Sequence, residues 1–268
     1  MDWFQVVVLA VIQGLTEFLP VSSSAHLILP SQLLDWPDQG LAFDVGVHLG
    51  TLSAVMFFYR RDIAKMIVAF LRSLRGEQSV DARIAWFVIG ATLPALVFGL
   101  LLNDFVDSYG RSMLVIAGTT LIFGALLWFA DRRENLQQPL ENINLKQAVY
   151  IGFAQALALI PGTSRSGITM TAALMMGFSR AAAAKFSFLL SIPIILAAGS
   201  YKGLELAGSD AAVRWDMVLV GIVLSALTAL SCIYLFLKWL ERVGMLPFII
   251  YRMLLGASLL AIYFVTGA

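Results

Sequence analysis

The sequence predicts an all-α integral membrane protein: six transmembrane helices plus two re-entrant helical hairpins, arranged as an inverted-topology repeat. Three observations predict it. Of 268 residues, 60% are hydrophobic and only 13% charged, well below the roughly 25% charged share of soluble domains. Six apolar runs are each long enough, as helices, to cross a ~30 Å hydrocarbon core. Two further apolar stretches, 1–33 and 147–177, are each broken midway by a proline followed by a serine cluster.

The six spans lie near 41–59, 84–103, 112–131, 184–202, 216–237 and 247–266. The first broken stretch runs Gln13-Gly14-Leu15-Thr16-Glu17-Phe18-Leu19-Pro20-Val21-Ser22-Ser23-Ser24-Ala25-His26. The second runs Gln155-Ala156-Leu157-Ala158-Leu159-Ile160-Pro161-Gly162-Thr163-Ser164-Arg165-Ser166-Gly167-Ile168-Thr169. They occupy matching places about half a chain apart. Pro20 and Pro161 each remove a backbone donor and end the helix behind them. Backbone opened in this way and exposed to lipid would leave polar groups unsatisfied, at several kcal/mol each. A hairpin buried among the other helices avoids that cost. The chain therefore reads as one membrane domain, 1–268, with repeats over 1–133 and 146–268. The stretches Leu114–Phe129 and Leu254–Phe264 echo each other weakly, with small residues suited to close helix packing.

Charge fixes the expected orientation. One hairpin and three spans per half place the loops near 60–83, 132–146, 177–185 and 238–246 on one face. Those loops carry Arg60, Arg61, Lys65, Arg72, Arg75, Arg83, Arg132, Arg133, Lys146, Arg180, Lys185, Lys238 and Arg242, against Arg111, Lys202 and Arg214 opposite. The basic face is cytoplasmic by the positive-inside rule, so both termini lie outside. The start, Met1-Asp2-Trp3, lacks the basic region of a cleaved signal peptide. A net charge of +1 provides no field for nucleic acid. The single cysteine, Cys232, sits in an apolar run and reads as packing.

The two breaks carry the chemistry. Gln13 and Glu17 share a helix face through their i, i+4 spacing, and an intramembrane carboxylate is expensive and usually functional. Ser22, Ser23 and Ser24 next to His26 offer hydroxyls and a base for nucleophilic attack, and histidine itself can attack phosphorus. His48, beside Asp44, reads as structural or supporting. Gly162 and Gly167 allow a tight loop. The hydroxyls of Ser164, Ser166 and Thr169, with the amides of a helix start, form an anion cradle. Arg165 adds a guanidinium fork that matches phosphate oxygens. The set suits phosphoryl transfer to water from a lipid-linked substrate. Glu17, with Gln13 and substrate oxygens, could share one divalent ion.

These motifs resemble the signatures of the bacterial undecaprenyl-diphosphate phosphatases of the bacitracin-resistance type. The resemblance covers essentially the whole chain, including the ending Leu246-Pro247-Phe248-Ile249-Ile250-Tyr251-Arg252. It implies a multi-pass enzyme of the bacterial plasma (inner) membrane that cleaves undecaprenyl diphosphate to undecaprenyl phosphate, the carrier lipid of wall synthesis. It implies a divalent cation, Mg or Ca, a site opening to the outer face, and bacitracin resistance, bacitracin competing by binding the substrate. Gln13 and Glu17 match the family's Glu/Gln-x-x-x-Glu pair. Ser23 matches a serine proposed as nucleophile, and His26 the essential histidine. Ser164, Arg165, Ser166 and Thr169 match the phosphate motif. Gln13 stands where glutamate is frequent, Ser24 where the pattern has threonine and Ala25 where it has glycine. Ser23 and His26 both remain candidate nucleophiles, and a homodimer is one option for assembly. The alternative function is a transporter or flippase for prenyl phosphates, since broken helices at the midplane of an inverted repeat are also a transporter plan.

Overall fold

The computed structural model describes residues 1–34, 36–110, 112–133, 137–208 and 213–266. Among them it holds eleven α-helices and no strand. Six helices are long and apolar enough to cross a membrane: α3 (Leu41–Phe58), α5 (Val80–Tyr109), α6 (Met113–Asp131), α9 (Arg180–Ala207), α10 (Trp215–Val243) and α11 (Leu246–Thr266). Their outer faces are oily, with Leu101 73% and Phe264 76% exposed. Such faces suit lipid contact, because large contiguous apolar patches are rare on soluble proteins.

The remaining helices are short. α1 (Trp3–Thr16) and α2 (Ser23–Leu33) flank the first break, and α7 (Leu145–Ala156) and α8 (Arg165–Met175) flank the second. At 1.5 Å per residue even α1 is only ~21 Å long. Both leading helices start the same way: Asp2 with Gln5 and Asn144 with Gln147 each form a capping box. That arrangement satisfies orphan amides at a helix start.

Packing exchanges partners between the halves. α1 packs on α10, α7 on α5, and α6 on α11. Glycines permit the closest approaches: a Cβ on Gly14 would lie 2.7 Å from the Ser225 carbonyl. The buried thiol of Cys232 donates to the Leu15 carbonyl, consistent with a packing role. Phe18, fully buried, meets Phe188 of α9 edge to face at 5.2 Å. It anchors the first break in the main core.

The basic loops gather at one end of the molecule. Arg180 pairs with Asp131 at 2.6 Å, Lys185 with Asp62 at 2.7 Å, and Arg83 donates to the Glu141 carbonyl at 2.5 Å. Two sequence boundaries need correction. The loop expected over 60–83 contains α4 (Arg60–Ser73) and the start of α5. Ile63, Met66, Ile67 and Phe70 form an apolar face on α4, with Arg61, Lys65 and Arg72 on another, so a charged segment still folds as an amphipathic helix. Likewise α9 and α10 extend past their apolar cores, placing Arg180, Lys185, Lys238 and Arg242 in helices. Long basic side chains allow this, since stem and charge can occupy different surroundings. Arg111 lies outside the described residues.

Candidate active site

Each break ends in a serine with an uncommon backbone. Ser22 (φ 74°) and Ser164 (φ 69°) are the two non-glycine residues of positive φ among those described. They are the N-caps of α2 and α8. Each also approaches the serine two positions on: Ser22 Oγ lies 3.3 Å from Ser24 Oγ, and Ser164 Oγ 3.2 Å from Ser166 Oγ. Such conformations cost of order 1–3 kcal/mol each and collect at functional sites. They differ in one respect. Ser164 accepts from the Gly167 amide and caps α8, whereas Ser22 makes no side-chain cap and leaves the start of α2 open.

The two breaks meet. Arg165 Nη2 donates to Glu17 Oε1 at 2.9 Å, and Ser166 Oγ donates to the Leu19 carbonyl at 2.7 Å. Glu17 Oε2 accepts from Ser23 Oγ at 2.7 Å and from Gln13 Nε2 at 3.0 Å. His48 Nε2 stands 3.9 Å from the same oxygen, closer than its sequence context suggested. Arg165 Nη1 donates to the Ser187 carbonyl at 2.9 Å. A guanidinium has five N–H donors, so Arg165 keeps donors free for a ligand.

The phosphate-motif hydroxyls divide. Thr169 Oγ1 lies 2.8 Å from the Arg165 carbonyl and 2.8 Å from Ser187 Oγ, and is buried. With Ser166 bonded to Leu19, both hydroxyls brace the loop. Gly162 (φ 88°) is required where it stands: a Cβ there would sit 2.2 Å from Thr119 Oγ1 and 2.5 Å from the Ile116 carbonyl.

His26 is separate from the serine. Its Nδ1 lies 2.7 Å from the Ser22 carbonyl and its Nε2 2.5 Å from the Tyr251 hydroxyl, the two rings stacking at 15°. Ser23 bonds to Glu17 rather than to the imidazole, so the hydroxyl's base in this geometry is the carboxylate.

Two residues of α11 went unweighed at the sequence level. Arg252 is fully buried, and its Nε, Nη1 and Nη2 donate to the carbonyls of Thr120, Pro20, Thr163, Thr119 and Gly162 at 3.0–3.4 Å. Its donors are therefore spent on protein and tie both breaks together. The signal was present: an arginine inside an apolar span is costly and rarely idle. Tyr251 carried no such signal, because tyrosines are common at membrane interfaces.

A divalent cation has a suitable donor set here. Gln13 Oε1 is buried and unpartnered, next to Glu17 and Ser23. All are oxygen donors, as a hard cation prefers, and Mg2+ commonly combines one or two protein carboxylates with substrate phosphates. Among the described residues no three His, Cys, Asp or Glu side chains cluster as a preformed metal cage.

Fold and site together define a multi-pass membrane protein with a buried polar centre where two broken helices meet. Residues 6–258 match the family model described as bacitracin resistance protein BacA. Proteins named undecaprenyl-diphosphatase are similar over nearly the full length. That of Chromohalobacter salexigens is 59% identical over 97% of this chain and 98% of its own. Those of Alteromonas mediterranea and Teredinibacter turnerae are 56% and 57% identical over the same shares. The chain belongs to the bacitracin resistance protein BacA family.

Proposed function

We propose that this protein hydrolyses undecaprenyl diphosphate to undecaprenyl phosphate and inorganic phosphate, returning the carrier lipid to wall synthesis and conferring bacitracin resistance. One observation carries the chemistry: Ser23, Glu17 and Arg165 are joined where the two breaks converge. A nucleophile, a base and an anion clamp in contact suit phosphoryl transfer.

The diphosphate enters from the outer face with its tail left in lipid. Arg165 and the open amides at the start of α2 hold the phosphate oxygens, and the glycines at 162 and 167 give the second loop its tight shape. Ser23 Oγ attacks the terminal phosphorus and its proton passes to Glu17. The bond to the bridging oxygen breaks, and undecaprenyl phosphate leaves. Water then attacks the phosphoserine; its proton is taken up on the His26 side and Glu17 returns one to Ser23 Oγ. A bound divalent cation, held by Gln13 Oε1 and Glu17, would neutralise phosphate charge. Ser23 is preferred to His26 as nucleophile because the Nε2 lone pair is already occupied by Tyr251.

The proposed frame is an inverted repeat with two re-entrant hairpins, seated in the plasma membrane with both termini outside. Support comes from the twin capping boxes, the matched serines, the exchanged packing of α1 and α7, and helices too short to span. The basic loops gathered at one end support the orientation. No observation favours lipid transport over hydrolysis.

Purified protein in detergent, given undecaprenyl diphosphate and Mg2+, should release inorganic phosphate. Arg165→Ala should lose roughly 10²–10³ in kcat. Turnover unchanged in that variant would remove the clamp from the mechanism.

A further inference from the structure

The sequence motifs leave Tyr251 unassigned, yet it makes the closest side-chain contact to His26. The carbonyl of Ser22 can only accept, so the Nδ1 atom facing it at 2.7 Å carries the ring proton. In the neutral ring Nε2 then presents one lone pair. The Tyr251 hydroxyl occupies it at 2.5 Å. The rings stack with centroids 5.6 Å apart, which limits how far either can turn. A proton can reach Nε2 in only two ways: through the phenol oxygen, or after the tyrosine has moved aside.

Geometry favours the first. Tyr251 is consecutive with Arg252, whose fully buried guanidinium is fastened to carbonyls of both breaks. That anchor holds the backbone beneath Tyr251 in place. Tyr251 itself is 43% exposed, so the residue is not sealed within the core.

We propose that Tyr251 is a catalytic proton relay to His26: its hydroxyl hands its own proton to Nε2 as it receives one from the attacking water. The exchange balances. The O–H bond of water breaks as a new O–H forms on the phenol oxygen, and the former phenol proton bonds to Nε2. The hydroxide equivalent bonds to the phosphorus of the phosphoserine, whose bond to Ser23 Oγ breaks. The tyrosine ends neutral and the imidazole charged, until it releases its proton to solvent. This inference rests on the phosphatase mechanism above.

Tyr251→Phe in the full chain tests it, because stacking survives and only the hydroxyl is lost. Release of phosphate from undecaprenyl diphosphate should fall roughly tenfold or more in kcat, with KM within about twofold. The solvent deuterium isotope effect on kcat should change as well. In ¹⁵N-histidine spectra of detergent-solubilised protein, the Nε2 signal that vanishes in His26→Gln should shift in Tyr251→Phe. A kcat that rises or holds, with an unmoved Nε2 signal, would show that the tyrosine merely plugs the lone pair and would overturn the proposal. Wild-type protein that releases no phosphate would instead sink the underlying mechanism.

Discussion

Arg165 and Glu17, 148 positions apart, share a 2.9 Å ion pair in which Arg165 is 14% and Glu17 7% exposed. Removing one partner of a buried pair strands the other charge, which is costlier than removing both. Glu17→Gln and Arg165→Gln should therefore each lower thermal stability in detergent. The double variant should recover part of the loss, with a coupling on the order of 1–3 kcal/mol. All three should lose roughly 10²-fold or more in kcat, because clamp and base are separate requirements. A double variant no more stable than the singles would show that the charges do not depend on each other.

Arg252 should behave differently. Its guanidinium meets five backbone carbonyls and, among the described residues, is matched by no carboxylate in hydrogen-bond contact. Arg252→Gln should cost about 3 kcal/mol or more, since several buried acceptors lose their donors. Thermal unfolding of the solubilised protein measures this. A wild-type midpoint would refute the role of Arg252 as the tie between the breaks.

Gly162→Ala should also destabilise. The added methyl would meet Thr119 Oγ1 and the Ile116 carbonyl, and φ there is 88°. Backbone strain alone is of order 1–3 kcal/mol. Unfolding curves for this variant, compared with Gly177→Ala, separate contact from backbone: Gly177 has the same φ of 88° but open space around it. The loss at 162 should be larger, and equal losses would mean that the contact does not matter.

Gln13→Glu should tighten divalent-cation binding. The buried Oε1 is unpartnered, and a second carboxylate would add a charged oxygen ligand where the amide gives a neutral one. Calorimetric titration with Mg2+ should show a lower Kd, and half-maximal phosphate release should need less cation. Unchanged affinity would place the ion elsewhere.

Much of this was legible in the residues. The six apolar runs became six long helices because a chain crossing lipid must satisfy its backbone polar groups within the segment. Pro20 and Pro161 marked both breaks only together with the serine clusters that follow them, since Pro94 and Pro193 lie inside continuous helices. The acid and base partners were harder to read. Ser23 stands three residues from His26 in the chain, yet its hydroxyl bonds to Glu17, because Ser22 turns the backbone at positive φ. Tyr251 and Arg252 lie more than 200 positions from the first break. Nothing local in α11 says which helix face meets it; only the fold brings them there.

The carbonyls gathered around Arg252 also impose an order on biogenesis. The ribosome delivers Pro20, Thr119, Gly162 and Thr163 long before the arginine that fastens them. Until α11 inserts, the earlier helices sit in the bilayer without the guanidinium that joins Pro20 of the first break to Gly162 and Thr163 of the second. Competence thus arrives late and abruptly, and a nascent chain stalled before Arg252 is threaded but unfinished, a natural target for membrane proteases.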